Sequence, residues 1–355
     1  MAALLPSLLL TAGAVAQPAE EAVAAAAKPK KLEEIVVTGN PLKTDDVVAP
    51  VSTLGGADLV LKRAATLGDT LEGMAGVANS SFGPNAGRPV IRGLDGDRIR
   101  VLSNSGAAFD ASSVSFDHNA AIDPLAIERV EVLRGPAALL YGGGAIGGVV
   151  NVIDNRIPKE AVSGAGGAIE LRVGGPERER GSAVLFEAGN GSIALHADGF
   201  DRTTENYRVP HNAGLGDRIV NSASSSKGGA LGASWTFAGG HLGLSRAEYR
   251  SNYGTVAEPD VKIDMRQSRT TLEGEVTGLG RALDALSARI GHTDYQHVEL
   301  EGGEVGTRFT NKGDDFRLEA RHAPLGPASG LVGIQAETFS FAALGEEAFV
   351  PATRS

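Results

Sequence analysis

The 355-residue chain is predicted to fold as an N-terminal α+β domain followed by antiparallel transmembrane β-barrel strands, on three observations. Glycine occurs 48 times while aromatics make up only 5% of residues, which suits turns and closely approaching strands better than long helices. From Ala168 onward the text alternates apolar and polar residues, as in "AIELRVG" and "SIALHADGF", the dyad of a strand with lipid on one side and water or protein on the other. Long polar connections then alternate with tight ones such as Asn190-Gly191 and Gly239-Gly240, as when a barrel has long loops outside and short turns in the periplasm.

The elements follow in order. Residues 1–16 are apolar and end in Ala14-Val15-Ala16, a small-x-small cleavage pattern, and so read as a secretory signal peptide even though no Lys or Arg precedes the apolar run. Residues 17–31, rich in Ala, Pro and Lys and without periodicity, read as a flexible linker. Residues 32–41, "LEEIVVTGNP", form a β-branched run that Gly39-Asn40-Pro41 ends; behind such a leader it suits a peptide that adds to another protein's sheet edge. No later run reaches the roughly 18 apolar residues that spanning as a helix requires, so any membrane crossing falls to strands.

Residues 42–160 form the α+β unit. "GDTLEGMAG" reads as a short helix between the strand-like runs "PVIRG", "DRIRVL", "IERVEVLRG" and "GGVVNVID". Residues 161–355 hold about nine strands, near 167–173, 182–189, 192–200, 230–238, 241–249, 265–275, 285–293, 314–321 and 330–340. Unpaired sheet edges in hydrocarbon cost several kcal/mol per backbone group, so these strands are expected to be the N-terminal part of a larger, truncated barrel. A soluble nine-stranded β-sandwich is the rival reading. It accounts for the strand number but not for the alternation of loop lengths.

"LLYGGGAIGGVVNVID" contains G-x-G-x-x-G at Gly142, Gly144 and Gly147, but a β-branched strand follows where a dinucleotide site needs a helix N-terminus. The glycines instead permit tight packing and positive φ. In full, "IERVEVLRGPAALLYGGGAIGGVVNVI" resembles the plug-domain signature of TonB-dependent outer-membrane receptors, carried here by Arg134, Gly135, Pro136, Tyr141, Gly142, Gly147 and Gly148. "RPVIRGLDGDRIRVL" resembles the preceding plug strands, and Glu34, Ile35, Val36, Val37 and Thr38 are similar to the TonB box, which pairs with the periplasmic TonB transducer. The resemblance implies a plug filling a barrel of about 22 strands, of which this chain has about nine. It also implies an exported protein of the cell outer membrane that is a receptor rather than an enzyme. In agreement, no H-E-x-x-H or nucleophile constellation appears.

The formal net charge of −10 disfavours nucleic acid and makes a cation the better guess for a charged ligand. Within the family, "SFDHNAAIDP" and the signature after it most resemble ZnuD-type zinc receptors, in which an Asp-His pair on a plug loop contributes zinc ligands; this carries over to Asp117 and His118. Zinc is then the transported ion rather than a resident cofactor. Imidazole nitrogen and carboxylate oxygen suit zinc, but two adjacent residues cannot complete a tetrahedral shell. Barrel loops must supply the rest, and Glu346 and Glu347 in "GEEAFVP" are the candidates chosen. His211 in the second outer loop, and His297 with Glu299, Glu301 and Glu304 in the fourth, are further possibilities; for each, a solvated loop charge is the competing reading. His196 falls on the polar face of a strand, and His241 and His322 at periplasmic turns. The other functions left open are an iron-siderophore or haem receptor of the same fold and a non-transporting surface binding protein.

Overall fold

The computed structural model describes residues 51–210, 216–326, 328–346 and 351–354. The expected signal peptide, linker and TonB-box segment, together with His211 and Glu347, lie outside the described residues. The N-terminal unit is built on a five-stranded sheet of β1 (Val51–Gly55), β4 (Ile99–Ser103), β5 (Gly106–Ala107), β6 (Arg129–Leu133) and β7 (Gly148–Ile153). Its order is β1-β6-β7-β4-β5, with β4 and β7 parallel and the other pairs antiparallel. β2 (Val77–Asn79) and β3 (Pro89–Ile91) form a separate ribbon, and α1 (Gly56–Lys62) and α2 (Leu67–Leu71) precede it. α2 begins where "GDTLEGMAG" was read as helical, capped by Thr66, whose hydroxyl accepts from the Asp69 N–H. α1 has no such signal, because Gly55 offers no capping side chain.

All six residues of β7 are buried, so this strand reads as a continuous apolar run with Asn151 inside it. Val130 and Val132 of β6, Val150 and Val152 of β7, and Leu54, Leu59, Leu67, Leu71 and Ile91 form the core. The glycine motif packs here as expected. A Cβ on Gly147 would lie 2.8 Å from that of Leu94, and Gly148 (φ 142°) approaches the Leu133 carbonyl, where a Cβ would lie at 2.7 Å.

The second unit is a ten-stranded antiparallel sheet in strict sequence order. Its strands are β8 (Ser163–Gly174), β9 (Glu179–Asn190), β10 (Ile193–Thr204), β11 (Ser224–Phe237), β12 (Gly240–Gly254), β13 (Val261–Thr277), β14 (Leu283–Glu301), β15 (Glu304–Leu325), β16 (Ala328–Gly345) and β17 (Thr353–Arg354). The nine expected strands are β8 to β16, and β17 is a short tenth. The sheet is open, with β8 and β17 at its edges. Leu171, Leu231, Leu244, Ile290, Val332 and Ile334 are exposed on one face, while the other buries polar and aromatic side chains against the N-terminal unit.

Strand lengths depart from expectation on one side of the sheet. β14 runs on to Glu301 and β15 starts at Glu304, leaving Gly302 and Gly303 as a tight turn, both with positive φ, where a long fourth outer loop was expected. The period-2 pattern continues through "DYQHVELE", but its inward members are polar and had suggested a loop. They are polar because they face protein and not lipid.

Candidate metal site

The stretch Asp110 to Ala121 is a closed loop at the top of the N-terminal unit. Asp110 ties its ends together: Oδ1 accepts from the Ser112 N–H (2.9 Å) and hydroxyl (2.7 Å), and Oδ2 from the Ala121 N–H (3.1 Å). The sheet holds the loop from outside. Asn311 donates to the Asp110 carbonyl at 3.1 Å, and the Tyr253 hydroxyl bridges the backbone on both sides of His118, accepting from the Asn119 N–H at 2.9 Å and donating to the Asp117 carbonyl at 3.2 Å.

His118 is thereby placed against β14. Strand alternation puts Tyr295, His297 and Glu299 on the inward face, each no more than 2% exposed. The β14–β15 register shifts between Val298 and Leu300, so Glu299 sits at an irregularity of the kind that re-aims a side chain. His118 Nε2 lies 2.9 Å from Glu299 Oε1, His297 Nε2 lies 3.7 Å from the same oxygen, and Asp117 Oδ1 lies 3.9 Å from His118 Nε2. Bonds of about 2.0–2.1 Å in a tetrahedral shell imply ligand-to-ligand edges of about 3.3 Å, which these separations bracket. His118, His297 and Glu299 form the one group among the described residues whose ligand atoms all fall within 4.8 Å of one another.

The surroundings leave the right atoms free. His118 Nδ1 donates to the Ala111 carbonyl at 3.2 Å, and His297 Nδ1 is 2.8 Å from the Tyr295 hydroxyl, so both Nε2 atoms face Glu299. His297 Nε2 has no hydrogen-bond partner although the residue is fully buried. Phe309, opposite His297 on β15, stacks on its ring at 4.4 Å between centroids and closes the site to water. Burial works to lower the His118 pKa. It is outweighed by the Glu299 hydrogen bond, the Asp117 and Glu299 charges and the Ala111 carbonyl, so the pKa is raised overall.

Of the four residues chosen from sequence, His118 is in the cluster and Asp117 beside it, with the Ser115 hydroxyl on its carboxylate. Glu346 is exposed in a turn just past the end of β16 and is not in the cluster. His297 and Glu299, named from sequence only as further possibilities in the fourth outer loop, are the residues that lie against His118. The signal that finds them is the spacing Tyr-x-His-x-Glu, which puts three polar side chains on one face of a strand. His196, expected on a polar strand face, bonds Glu187 and Asp198 there, the latter also held by Arg156.

The signature residues have packing roles. Arg134 reaches the Ala75 carbonyl at 2.5 Å and the Ser52 hydroxyl, which joins β6 to the start of the unit. Tyr141 is buried under the Arg317 guanidinium of β15, 4.5 Å from its ring centroid, and Arg317 also donates to the Leu140 carbonyl.

An α+β unit carrying this signature and docked against an antiparallel sheet has a counterpart among known proteins. Residues 43–149 match the TonB-dependent Receptor Plug Domain. The chain therefore carries a plug domain of the TonB-dependent receptor kind over these residues. It is 30% identical over 235 residues to the vitamin B12 transporter BtuB of Photobacterium profundum, a match covering 62% of this chain and 37% of that protein. It is also 30% identical over 117 residues to a hemin receptor of Yersinia pestis, covering 33% of this chain and 17% of that one. Among solved structures, the copper transporter OprC superposes with a TM-score of 0.69 at 18% identity, covering 79% of this chain and 44% of OprC. A variant of the ferric enterobactin receptor PfeA of Pseudomonas aeruginosa gives 0.63 at 16%, covering 87% and 51%. At these identities the likeness to solved structures is one of fold. The chain spans well under half the length of the curated relatives it matches. These relatives are named as transporters and receptors, and plug and barrel are the names used below for the two units.

Proposed function

We propose that this chain is part of a TonB-dependent receptor that resides in the outer membrane and takes up a divalent transition-metal ion, zinc in the first place. His118 and Asp117 of the plug and His297 and Glu299 of the barrel would bind the ion together. The observation that carries the reading is the unpartnered Nε2 of His297, fully buried and aimed with His118 Nε2 at one carboxylate. The donors are nitrogen and oxygen, which zinc accepts, and the chain contains no cysteine to favour softer ions. Such an ion ties plug to barrel. Its release follows from any movement of the plug that withdraws Asp117 and His118, which TonB would drive by pairing with Glu34 to Thr38. A siderophore or haem receptor would need a site open to a bulky ligand, whereas Phe309 and the two imidazoles fill this one.

Zinc titrated calorimetrically into the intact protein in detergent should bind at one site, and the double variant Asp117→Ala with His118→Ala should bind far more weakly. Equal affinity in the two would remove the proposal. A non-transporting surface protein would bind zinc but show no TonB-dependent accumulation in cells.

The same titration has a predicted pH dependence. Because the metal-free pKa of His118 is raised, its Nε2 proton must leave when zinc binds. Below that raised pKa, affinity should fall about tenfold per pH unit for each displaced proton, and proton release should appear as a buffer-dependent heat. A pH-independent affinity between pH 5.5 and 7.5 would show that His118 is not a ligand.

A further inference from the structure

We propose that Tyr295 is a positioning residue of the site: its hydroxyl accepts the Nδ1–H of His297 and so keeps the Nε2 lone pair turned toward the ion position. This rests on the metal-site reading above and adds what readies the barrel half of the site. A neutral imidazole has one N–H and one lone pair, and its hydrogen-bond partner selects which nitrogen carries the proton. His297 has Tyr295 Oη at 2.8 Å on Nδ1 and, on Nε2, nothing nearer than Glu299 Oε1 at 3.7 Å. A proton on Nε2 would have no acceptor within hydrogen-bond distance; a proton on Nδ1 points at an oxygen. The Tyr295 side chain is fully buried, packed in the same cluster as Ala111, Tyr253 and Phe309. The Ala111 carbonyl in that cluster takes the Nδ1–H of His118 at 3.2 Å, so each imidazole has an oxygen behind Nδ1 and its Nε2 toward Glu299.

The consequence is specific to the metal-bound state. Once a cation sits on Nε2, the His297 proton can only be on Nδ1, in a place water does not reach. Without the tyrosine oxygen that N–H has no acceptor. The metal-free imidazole can instead turn its proton to Nε2, toward the Glu299 carboxylate 3.7 Å away, a choice the metal-bound imidazole lacks, so the larger loss falls on binding.

The test compares Tyr295→Phe with Tyr253→Phe and the unaltered protein, each intact in detergent. Zinc affinity is read by competition with a chelator, and the His297 tautomer by 15N chemical shifts of histidine-labelled protein, assigned by loss of signal in His297→Gln. Tyr295→Phe should bind zinc about 10- to 100-fold more weakly, and its metal-free His297 signal should move to the Nε2–H pattern. Tyr253→Phe, which frees the loop holding His118, should also weaken binding but leave the His297 signal as in the unaltered protein. An affinity for Tyr295→Phe within twofold of the unaltered protein, or an unaltered His297 signal, overturns the assignment of Tyr295. If the unaltered protein binds no zinc, the metal-site reading falls and the metal-free spectra alone decide the role of Tyr295.

Discussion

Glu299→Gln is expected to weaken zinc binding by more than about 100-fold, the upper end of what outer-shell substitutions do to metal sites. Glu299 is the shared point of the cluster, with one oxygen 2.9 Å from His118 Nε2 and 3.7 Å from His297 Nε2. It is also the sole negative charge among the three clustered donors. Glutamine keeps the shape and the carbonyl oxygen but loses the charge that offsets desolvation of a divalent ion in a buried site. The comparison is Glu346→Gln, which changes a carboxylate that is exposed and outside the cluster. It should bind zinc as the unaltered protein does. Calorimetry giving the two variants equal affinities would show that the buried cluster is not where the ion sits.

The contrast between Glu299 and Glu346 marks how far the sequence could be read. The plug was legible because its signature is long and ungapped, and because β-branched runs such as "GGVVNVID" have one plausible backbone state. The barrel strands were legible from dyad alternation, and all of β8 to β16 were placed by it. Their ends were not. Above the apolar band the inward face becomes polar and the outward face becomes solvated, so alternation of hydrophobicity fades while the hydrogen-bonded ladder continues to Glu301. His297 and Glu299 lie in that stretch. Asp117 and His118 were singled out through a resemblance, whereas the residues beside them depend on which strand faces the plug loop and on the irregular register at Glu299. Both are tertiary facts with no local signal. Charge alone was a poor guide, since both positions are glutamates and only Glu299 is buried.

Asp315→Ala should loosen the plug hairpin within the barrel by about 3–5 kcal/mol, the cost of breaking a buried ion pair on one side. The Asp315 carboxylate lies between two arginines of the barrel wall, 2.6 Å from Arg269 Nη2 and 2.9 Å from Arg289 Nη1, all three largely excluded from water. The arginines in turn hold the plug. Arg289 donates to the Ser103 carbonyl at 3.1 Å and Arg269 to that of Ala107, the two ends of the β4–β5 hairpin. Gly106 fits beneath them only because it has no side chain, since a Cβ there would fall 1.3 Å from Arg289 Nη1. With Asp315 gone, the two guanidiniums repel each other, and Glu273 reaches only Arg289, at 3.7 Å, while also serving Lys159. The repulsion is relieved by letting go of the hairpin carbonyls. Amide exchange of residues 103–107 should therefore accelerate by roughly two to four powers of ten, while β13 to β15 retain their protection. This grip uses no metal ligand, so the acceleration should be the same with and without zinc at the Asp117–His118 loop. Unchanged exchange in Asp315→Ala would mean that the hairpin is held by packing alone and that these arginines serve the barrel wall rather than the plug.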